Sequence, residues 1–504
     1  MGERGEEGER DGRGEQAARG EQSEGGQGSG EPCAVHVVSF RRGVAIAERP
    51  DGGIEIRRGE EPAVGIERAT PGLRAVVEAL AGGGDTERRL LERAAREDGG
   101  AGLMEVAHHL ARLAQRGLLA YTVAREGRRL ATLAGATPEE PAGGARHALS
   151  RFAWIRSDGG AWVLESPFGR GRVEIHDAEA AAVCHALAEP RTVEEVLRAA
   201  RGTGGTGGTS IEAVRAIVGL LLGCGALDGG GRGSEEALAG WTFHDLAFHT
   251  RSRQGRHDAP YGATYAHRET LAPSPAVKPR PPGEIVPLHR PDLEALAATD
   301  VPFTQVLERR RSIREHGERP IRAEQLGELL YRAARIRRIE ERSSGRAYEQ
   351  TRRPYPSGGA CHALELYPVV RTCDGLGPGL YHYRADEHGL SALSGLTREA
   401  VALLEGARSA MGASAPPQVL IVVAARFPRV SWVYESIAYA TILKDVGGLY
   451  QTLYLVASAM DLAACAVGGG DSDLFVRATG LDYLAETSVG EIAVGSRAED
   501  QARR

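Results

Sequence analysis

Arg309-Arg310-Arg311-Ser312-Ile313-Arg314, followed about forty residues later by Tyr355-Pro356-Ser357-Gly358-Gly359, is the pair of stretches on which the reading of this chain turns. The first sets cationic forks beside a hydroxyl, at what the pattern predicts is the start of a helix. Guanidinium groups bind phosphate bidentately, and a helix N-terminus adds free N–H donors. The second is a Gly-rich turn that lets backbone come close to a flat ligand. Together they imply a phosphorylated planar cofactor, and hence a flavoenzyme.

Outward from these stretches the C-terminal half has the pattern of a mixed helix and sheet domain. Arg322–Ala334 is amphipathic, with Leu326, Leu329, Leu330 and Ala333 on one face. Leu364–Arg371 and Gly379–Arg384 read as strands around a turn at Asp374–Gly377. Val419–Ala425 is a continuous apolar, β-branched run, as in a central strand buried on both faces. Ile437–Leu462 is the longest helical pattern, apolar nearly all round, and so expected to be buried within the domain or at a dimer interface. Lys444-Asp445 reads as a helix surface or interface ion pair rather than a catalytic pair. A second Gly-rich turn, Val467-Gly468-Gly469-Gly470-Asp471, is expected directly after that helix. Glu486–Glu491 leads to a last strand and to Gly495-Ser496-Arg497.

The N-terminal half reads differently. Residues 1–33 are dominated by Gly, Glu, Arg, Gln and Ser, too poor in apolar groups to offset ordering entropy, and are expected to be disordered. Ala34–Ala47 and Gly53–Arg57 read as strands, followed by helices at Leu73–Leu80, Glu87–Arg96 and Leu103–Gln115 and a strand at Leu118–Val123. The order recurs. Phe152–Ile155, Ala161–Glu165 and Gly171–Ile175 read as strands; helices follow from Asp177, from Thr192 with a capping box to Glu195, and over Ser210–Leu222. The predicted organisation is two winged-helix-like units, 34–125 and 148–230, then a C-terminal domain over 240–497 with a Pro-rich connector at 273–287. A DNA-binding role needs a basic recognition helix, yet Ser210–Leu222 offers only Arg215 and Leu103–Gln115 only Arg112 beside His108 and His109. Peptide clamp and pure scaffold both stay open for these units.

Composition narrows the classes. The 504 residues need several domains; 42% are apolar and 26% charged, as in ordinary globular proteins. A net charge of −6 gives no general drive toward nucleic acid or anionic membranes. The six cysteines show no C-x-x-C spacing, which argues against zinc and against a disulfide framework. No N-terminal apolar region reads as a signal peptide and no run is long enough to span a membrane, so a cytoplasmic location is expected. His244 and His249 stand i, i+5 apart on different helix faces and read as structural; no metal is expected. Lysine occurs only at 278 and 444.

The order of motifs resembles the nitroreductase family, and within it the SagB-type peptide azoline dehydrogenases. The residues that carry this are Trp241–Arg256 with Tyr261-Gly262, Arg310–Arg314, Pro356-Ser357-Gly358-Gly359-Ala360-Cys361-His362, Tyr434–Gly447, and Ala464–Asp471 with Ser488-Val489-Gly490-Glu491. The resemblance spans about 240–497. It implies an α+β fold, bound FMN and a homodimer with its site at the interface. By position it implies that Arg310, Arg311, Ser312 and Arg314 hold the phosphate and ribityl end, with Arg497 a further phosphate ligand. Pro356, Ser357, Gly358 and Gly359 would line the ring, and Gly468, Gly469 and Gly470 would close over its other side. The implied reaction is oxidation of thiazoline or oxazoline rings of a ribosomal precursor peptide to azoles. The peptide's leader would be bound by the N-terminal units, with a cyclodehydratase as candidate partner. The family's Lys-Tyr pair reads Val433-Tyr434 here, leaving Tyr434 as catalytic candidate without its amine. A phenol is a poor base unless a cation lowers its pKa. Two alternatives follow: a flavin oxidoreductase of the same fold acting on a quinone, a nitroaromatic or another peptide modification, or a decayed leader-peptide-binding protein.

Overall fold

The structure, a computed structural model, describes residues 35–59, 61–202, 209–228, 235–280 and 283–498. The expected tail at 1–33 lies outside the described residues. Two compact units divide the chain, Met1–Ser166 with Gly171–Arg232 and Pro167–Arg170 with Gly233–Arg504.

In the first unit the elements run β1 (Val35–Phe40), β2 (Val44–Glu48), β3 (Ile54–Arg58), β4 (Glu61–Ile66), α1 (Pro71–Ala81), α2 (Glu87–Gln115), β5 (Leu119–Arg125), β6 (Arg128–Ala134), β7 (Trp154–Asp158), β8 (Ala161–Glu165), β9 (Arg172–Ile175), α3 (Ala178–Ala186), α4 (Val193–Gly202) and α5 (Ile211–Gly223). The helix starts follow from local chemistry. Thr70 accepts from Leu73 N with Pro71 in the first turn, and Asp177 accepts from Glu179 N. Thr192 and Glu195 close a reciprocal capping box, at 3.0 and 3.3 Å. Gly99, at φ 67°, breaks α2 into the two helices the pattern predicts.

The order of three antiparallel strands and then three helices, with α2 counted as two, occurs twice, flanked by β1 and β5 in the first copy and by isolated bridges in the second. Val38 bridges Asp85 and Phe40 pairs Leu119 in the first copy; His147 bridges Arg191 and Leu149 bridges Leu227 in the second. The expected strand over 34–47 is two strands, because Gly43 turns the chain at φ 81°. Strand β6 was not expected, although the turn before it, Glu126-Gly127 with both residues at positive φ, is a hairpin signal present in the sequence. Through β6 the two copies share one six-stranded sheet, β1-β5-β6-β9-β8-β7, while β2-β3-β4 form a sheet of their own.

The second unit contains α6 (Glu235–Ala239), α7 (Phe243–Arg251), β10 (Ile285–Pro287), α8 (Leu293–Thr299), α9 (Phe303–Arg309), α10 (Ala323–Ala334), β11 (Arg338–Glu340), β12 (Gln350–Arg352), β13 (Leu364–Val370), β14 (Gly379–Arg384), β15 (Gly389–Ser394), α11 (Arg398–Met411), β16 (Val419–Arg426), α12 (Phe427–Ser431), α13 (Ala438–Ala459), β17 (Leu462–Val467), α14 (Ser472–Thr479) and β18 (Glu486–Ser496). Seven strands form an antiparallel sheet, β10-β15-β14-β13-β16-β18-β17. Central β16 is buried along its whole length. Leu326, Leu330, Leu449 and Leu453 of α10 and α13 pack on one face of the sheet, and Leu403, Leu404 and Phe475 of α11 and α14 on the other. This is an α+β domain of the expected kind.

Three expectations change here. Helix α13 ends at Ala459, about 33 Å long, because Asp461 turns the chain at φ 53° into strand β17. The Gly-rich turn therefore follows a strand. Nor is α13 buried all round: Tyr439, Leu443, Lys444 and Gly447 form an exposed strip along it. In the connector, Lys278 donates to the Tyr367 hydroxyl and to Glu486, at 2.7 and 2.6 Å, pinning it to β13 and β18. Among the described residues no helix is long and apolar enough to cross a membrane, and no cluster of His, Cys, Asp and Glu could hold a metal.

Candidate active site

The arginine cluster lies at a helix end, not a helix start. Arg309 closes α9 and Arg310 is its C-cap, so the N–H donors expected from a helix N-terminus are not there. Cations are favourable at that end because the last carbonyls are negative. Beyond Arg310 the chain runs along the free edge of β17, where Ile313 N donates to Ala464 O at 2.9 Å. Arg311, Ser312 and Arg314 are exposed on either side of the buried Ile313. The Ser312 hydroxyl meets the Tyr454 hydroxyl at 2.9 Å, Tyr454 also accepts from Ala466 N at 2.6 Å, and the Arg310 guanidinium lies 5.3 Å from the Tyr454 ring centre. At the other end of β17, Leu462 pairs with Ser496. Arg497 follows and donates to Asp461 at 2.5 Å.

The Pro356–Gly359 turn is held by one face of α13. Asp445 accepts from the Ser357 hydroxyl at 2.6 Å and from Gly358 N at 3.0 Å. A Cβ on Gly358 would stand 2.4 Å from Thr441 Cγ2, and Gly448 leaves room for Pro356. Thr441, Asp445 and Gly448 recur at i, i+4, i+7, so a helical-face count would have found them. Burial raises the Asp445 carboxyl, and its two donors pull the other way. Asp445 is therefore a loop clamp and not half of an ion pair with the exposed Lys444. Ser357 is correspondingly spent, donating to Asp445 and accepting from His362 N at 2.9 Å. Its hydroxyl sets the turn rather than facing a ligand.

Gly359 sits at φ 59°, with its carbonyl accepting from the Tyr348 hydroxyl at 2.6 Å. A Cβ there would stand 2.7 Å from the Tyr434 hydroxyl, so Tyr434 and the turn meet. Burial raises the Tyr434 phenol, and Cys361, Tyr265 and Asp445 push the same way. The phenol is thus held protonated. Val433, where the related pattern has Lys, is buried in the core at 1% exposure.

The third segment, Gly468–Gly470, is an exposed link from β17 to α14. Gly468 and Gly469 have open space where a Cβ would stand, and Gly470 lies over Glu491, whose Oε1 would be 2.6 Å from an added Cβ. Glu491 is 3% exposed, and that oxygen has no hydrogen-bond partner. Burial, then Asp471, raises its carboxyl to about 7. From sequence, Glu491 and Asp445 have no site role, and Tyr348 and Tyr454 are not singled out. Helix α13 ties the segments together, from Thr441 at the Pro356–Gly359 turn to Tyr454 at Ser312, a reach of about 20 Å. His244 and His249 are exposed, with their rings against Phe243 and Trp241.

Residues 307–496 match the nitroreductase family model. The C-terminal unit is a nitroreductase-family domain. Residues 147–258 match a second model, that of the cyanobactin oxidase ThcOx. MJ1384 of Methanocaldococcus jannaschii, which bears a nitroreductase name, is 27% identical over 37% of this chain and 85% of its own length. The trifolitoxin-processing protein TfxB of Rhizobium leguminosarum bv. trifolii is 30% identical over 27% of this chain and 36% of its own. The Escherichia coli microcin synthetase McbBCD complex with truncated pro-MccB17 aligns with 53% of this chain and 95% of its own at 18% identity and TM-score 0.32. The chain is an oxidoreductase of the nitroreductase fold, and the cofactor of that family is FMN. The residues present suit that group. Exposed cations and a hydroxyl flank the β17 edge, bare glycine backbone follows it, and a Gly turn is fixed from behind.

Proposed function

We propose that this chain oxidises thiazoline or oxazoline rings, already formed in a ribosomally made peptide, to thiazoles or oxazoles. The observation that carries the reading is the pairing in one chain of a cyanobactin-oxidase match over 147–258 with a nitroreductase match over 307–496. TfxB, named for trifolitoxin processing, supports it. FMN, when bound, supplies the hydride acceptor. The protein's part is to bind, orient and manage protons. In this reading Arg310, Arg311, Arg314 and Arg497 neutralise the phosphate and Ser312 hydrogen-bonds to it. Gly468, Gly469 and Gly470 offer backbone to one side of the ring, and the Pro356–Gly359 turn, braced by Asp445, borders it. Tyr434, kept protonated by burial, orients the substrate ring by donating a hydrogen bond.

The proposal includes a cytoplasmic homodimer, for which the exposed strip at Tyr439 and Leu443 of α13 is the supporting surface. It also includes leader binding by the two winged-helix-like copies and a cyclodehydratase as partner. A second reading rests on Val433: with the family's amine replaced by a core side chain, the same cofactor would serve another electrophile. The deciding experiment mixes purified, flavin-loaded protein with a cyclised peptide and follows mass and flavin reduction together. The expected result is loss of one H2 per ring with flavin bleaching. A colourless protein that takes up no FMN, or a flavin-loaded one that leaves every azoline intact while reducing a quinone with added NAD(P)H, refutes it.

A further inference from the structure

The six-stranded sheet of the first unit keeps one face out of its core, and that face is not flat. A cavity of about 560 Å³ opens on it, within the size range of ligand sites. Register explains the shape. Ser39, Ala120 and Ala134 stand in one row across β1, β5 and β6, and Thr122 pairs Thr132 in the next. Small side chains in the middle of a sheet leave a trough where larger ones would close it. The trough spans four strands, about 14 Å across. Its floor is buried, and its two threonine hydroxyls meet at 2.9 Å.

Charge sets the chemistry. Arg41, Arg42, Arg129 and Arg172 line the cavity against a single acid, Glu174. In a chain of net charge −6, this is a local concentration of the opposite sign. Burial and the charges of Arg58 and Arg172 lower Arg41 to about 10, so these guanidinium groups already crowd one another. A carboxylate entering the trough would relieve that crowding and meet planar forks suited to it. An extended chain places alternate side chains on one face about 7 Å apart, which matches successive rows of the sheet.

We propose that this trough binds an extended acidic segment of a peptide. The apolar row accommodates its backbone and small side chains, and the arginines pair with its carboxylates. Only the identity of that peptide, the oxidase's own substrate, rests on the function proposed above; the binding itself needs no flavin.

The test is fluorescence anisotropy on the full-length flavin-loaded protein. The probe is a short fluorescein-labelled peptide of alternating Glu and Ala, with its Gln-for-Glu counterpart as control. Two variants accompany the wild type. Arg42→Glu with Arg129→Glu reverses two exposed charges, and Ser39→Phe fills the trough with every arginine intact. The Glu peptide should bind the wild type more weakly as salt rises, and each variant should lose at least about tenfold in affinity, or about 1.4 kcal/mol, with flavin content unchanged. Equal binding of the Gln peptide, or wild-type affinity in both variants, overturns the proposal. So does competition by inorganic pyrophosphate as strong as that by unlabelled peptide, which would make the trough a small-anion site. Azoline oxidation without peptide binding here would sink this inference alone; peptide binding without oxidation would sink the oxidase reading alone.

Discussion

Replacing Glu491 by Gln isolates one buried charge. The carboxyl lies under Gly470 with one oxygen unpartnered, and burial lifts it from its ordinary 4.5 to about 7. In the unfolded chain it ionises near 4.5, so between these values the native state holds a proton that the unfolded state has released. Stability contributed by the neutral acid is complete below 4.5 and is lost as pH rises toward 7. At about 1.4 kcal/mol per pH unit, the loss approaches about 3 kcal/mol. Gln keeps a neutral side chain of the same length at every pH. Wild type and Glu491→Gln should therefore melt alike near about pH 5, and the variant should melt roughly 6–10 °C higher near about pH 8. Calorimetry on flavin-stripped protein at fixed ionic strength reads this without interference from cofactor binding. The same difference between the two proteins at both pH values would refute the reasoning, since it would mean that the carboxyl does not change charge inside the fold.

Four other outcomes follow from the site. Arg310→Ala with Arg314→Ala should lower flavin occupancy strongly, each change removing a charge-assisted contact of about 1.5–3 kcal/mol; full occupancy by absorbance would misplace the phosphate. Asp445→Asn should weaken FMN affinity about tenfold or more by loosening the turn that it holds through Ser357 and Gly358, as read by flavin titration. Gly359→Ala, strained at φ 59° and crowding the Tyr434 hydroxyl, should cost about 1–3 kcal/mol in thermal stability; an unchanged melting temperature would contradict the turn geometry. Tyr434→Phe should slow peptide oxidation while flavin content holds, and wild-type turnover would remove its hydroxyl from the reaction.

Much of this architecture was legible in one dimension. The apolar run at Val419–Ala425 marked the centre of a sheet, because only a strand covered on both faces can be apolar at every position. The Asp177 cap and the Thr192–Glu195 box fixed helix starts, because each satisfies backbone donors within a turn. The repeat in the N-terminal half followed from the recurrence of these same signals, and the Arg and Gly motifs were visible as residue types suited to phosphate and to close backbone approach.

Only the tertiary structure decided how those parts act. The sequence pattern makes Lys444-Asp445 look like a charge pair, but the helix turns the carboxylate onto a loop some ninety residues earlier and leaves the amine outside. It put the arginines at a helix start, whereas they follow a helix end and run along a strand edge, since edge pairing is a long-range contact with no local signature. Glu491 gave no sign of its altered acidity, because desolvation depends on what packs around a side chain and not on its neighbours in the chain. The basic trough likewise exists only once β6 and β9 pair and bring residues from both repeats into register. Local sequence carries the chemistry of caps, turns and periodicity; burial, charge environment and the meeting of distant groups are properties of the folded whole.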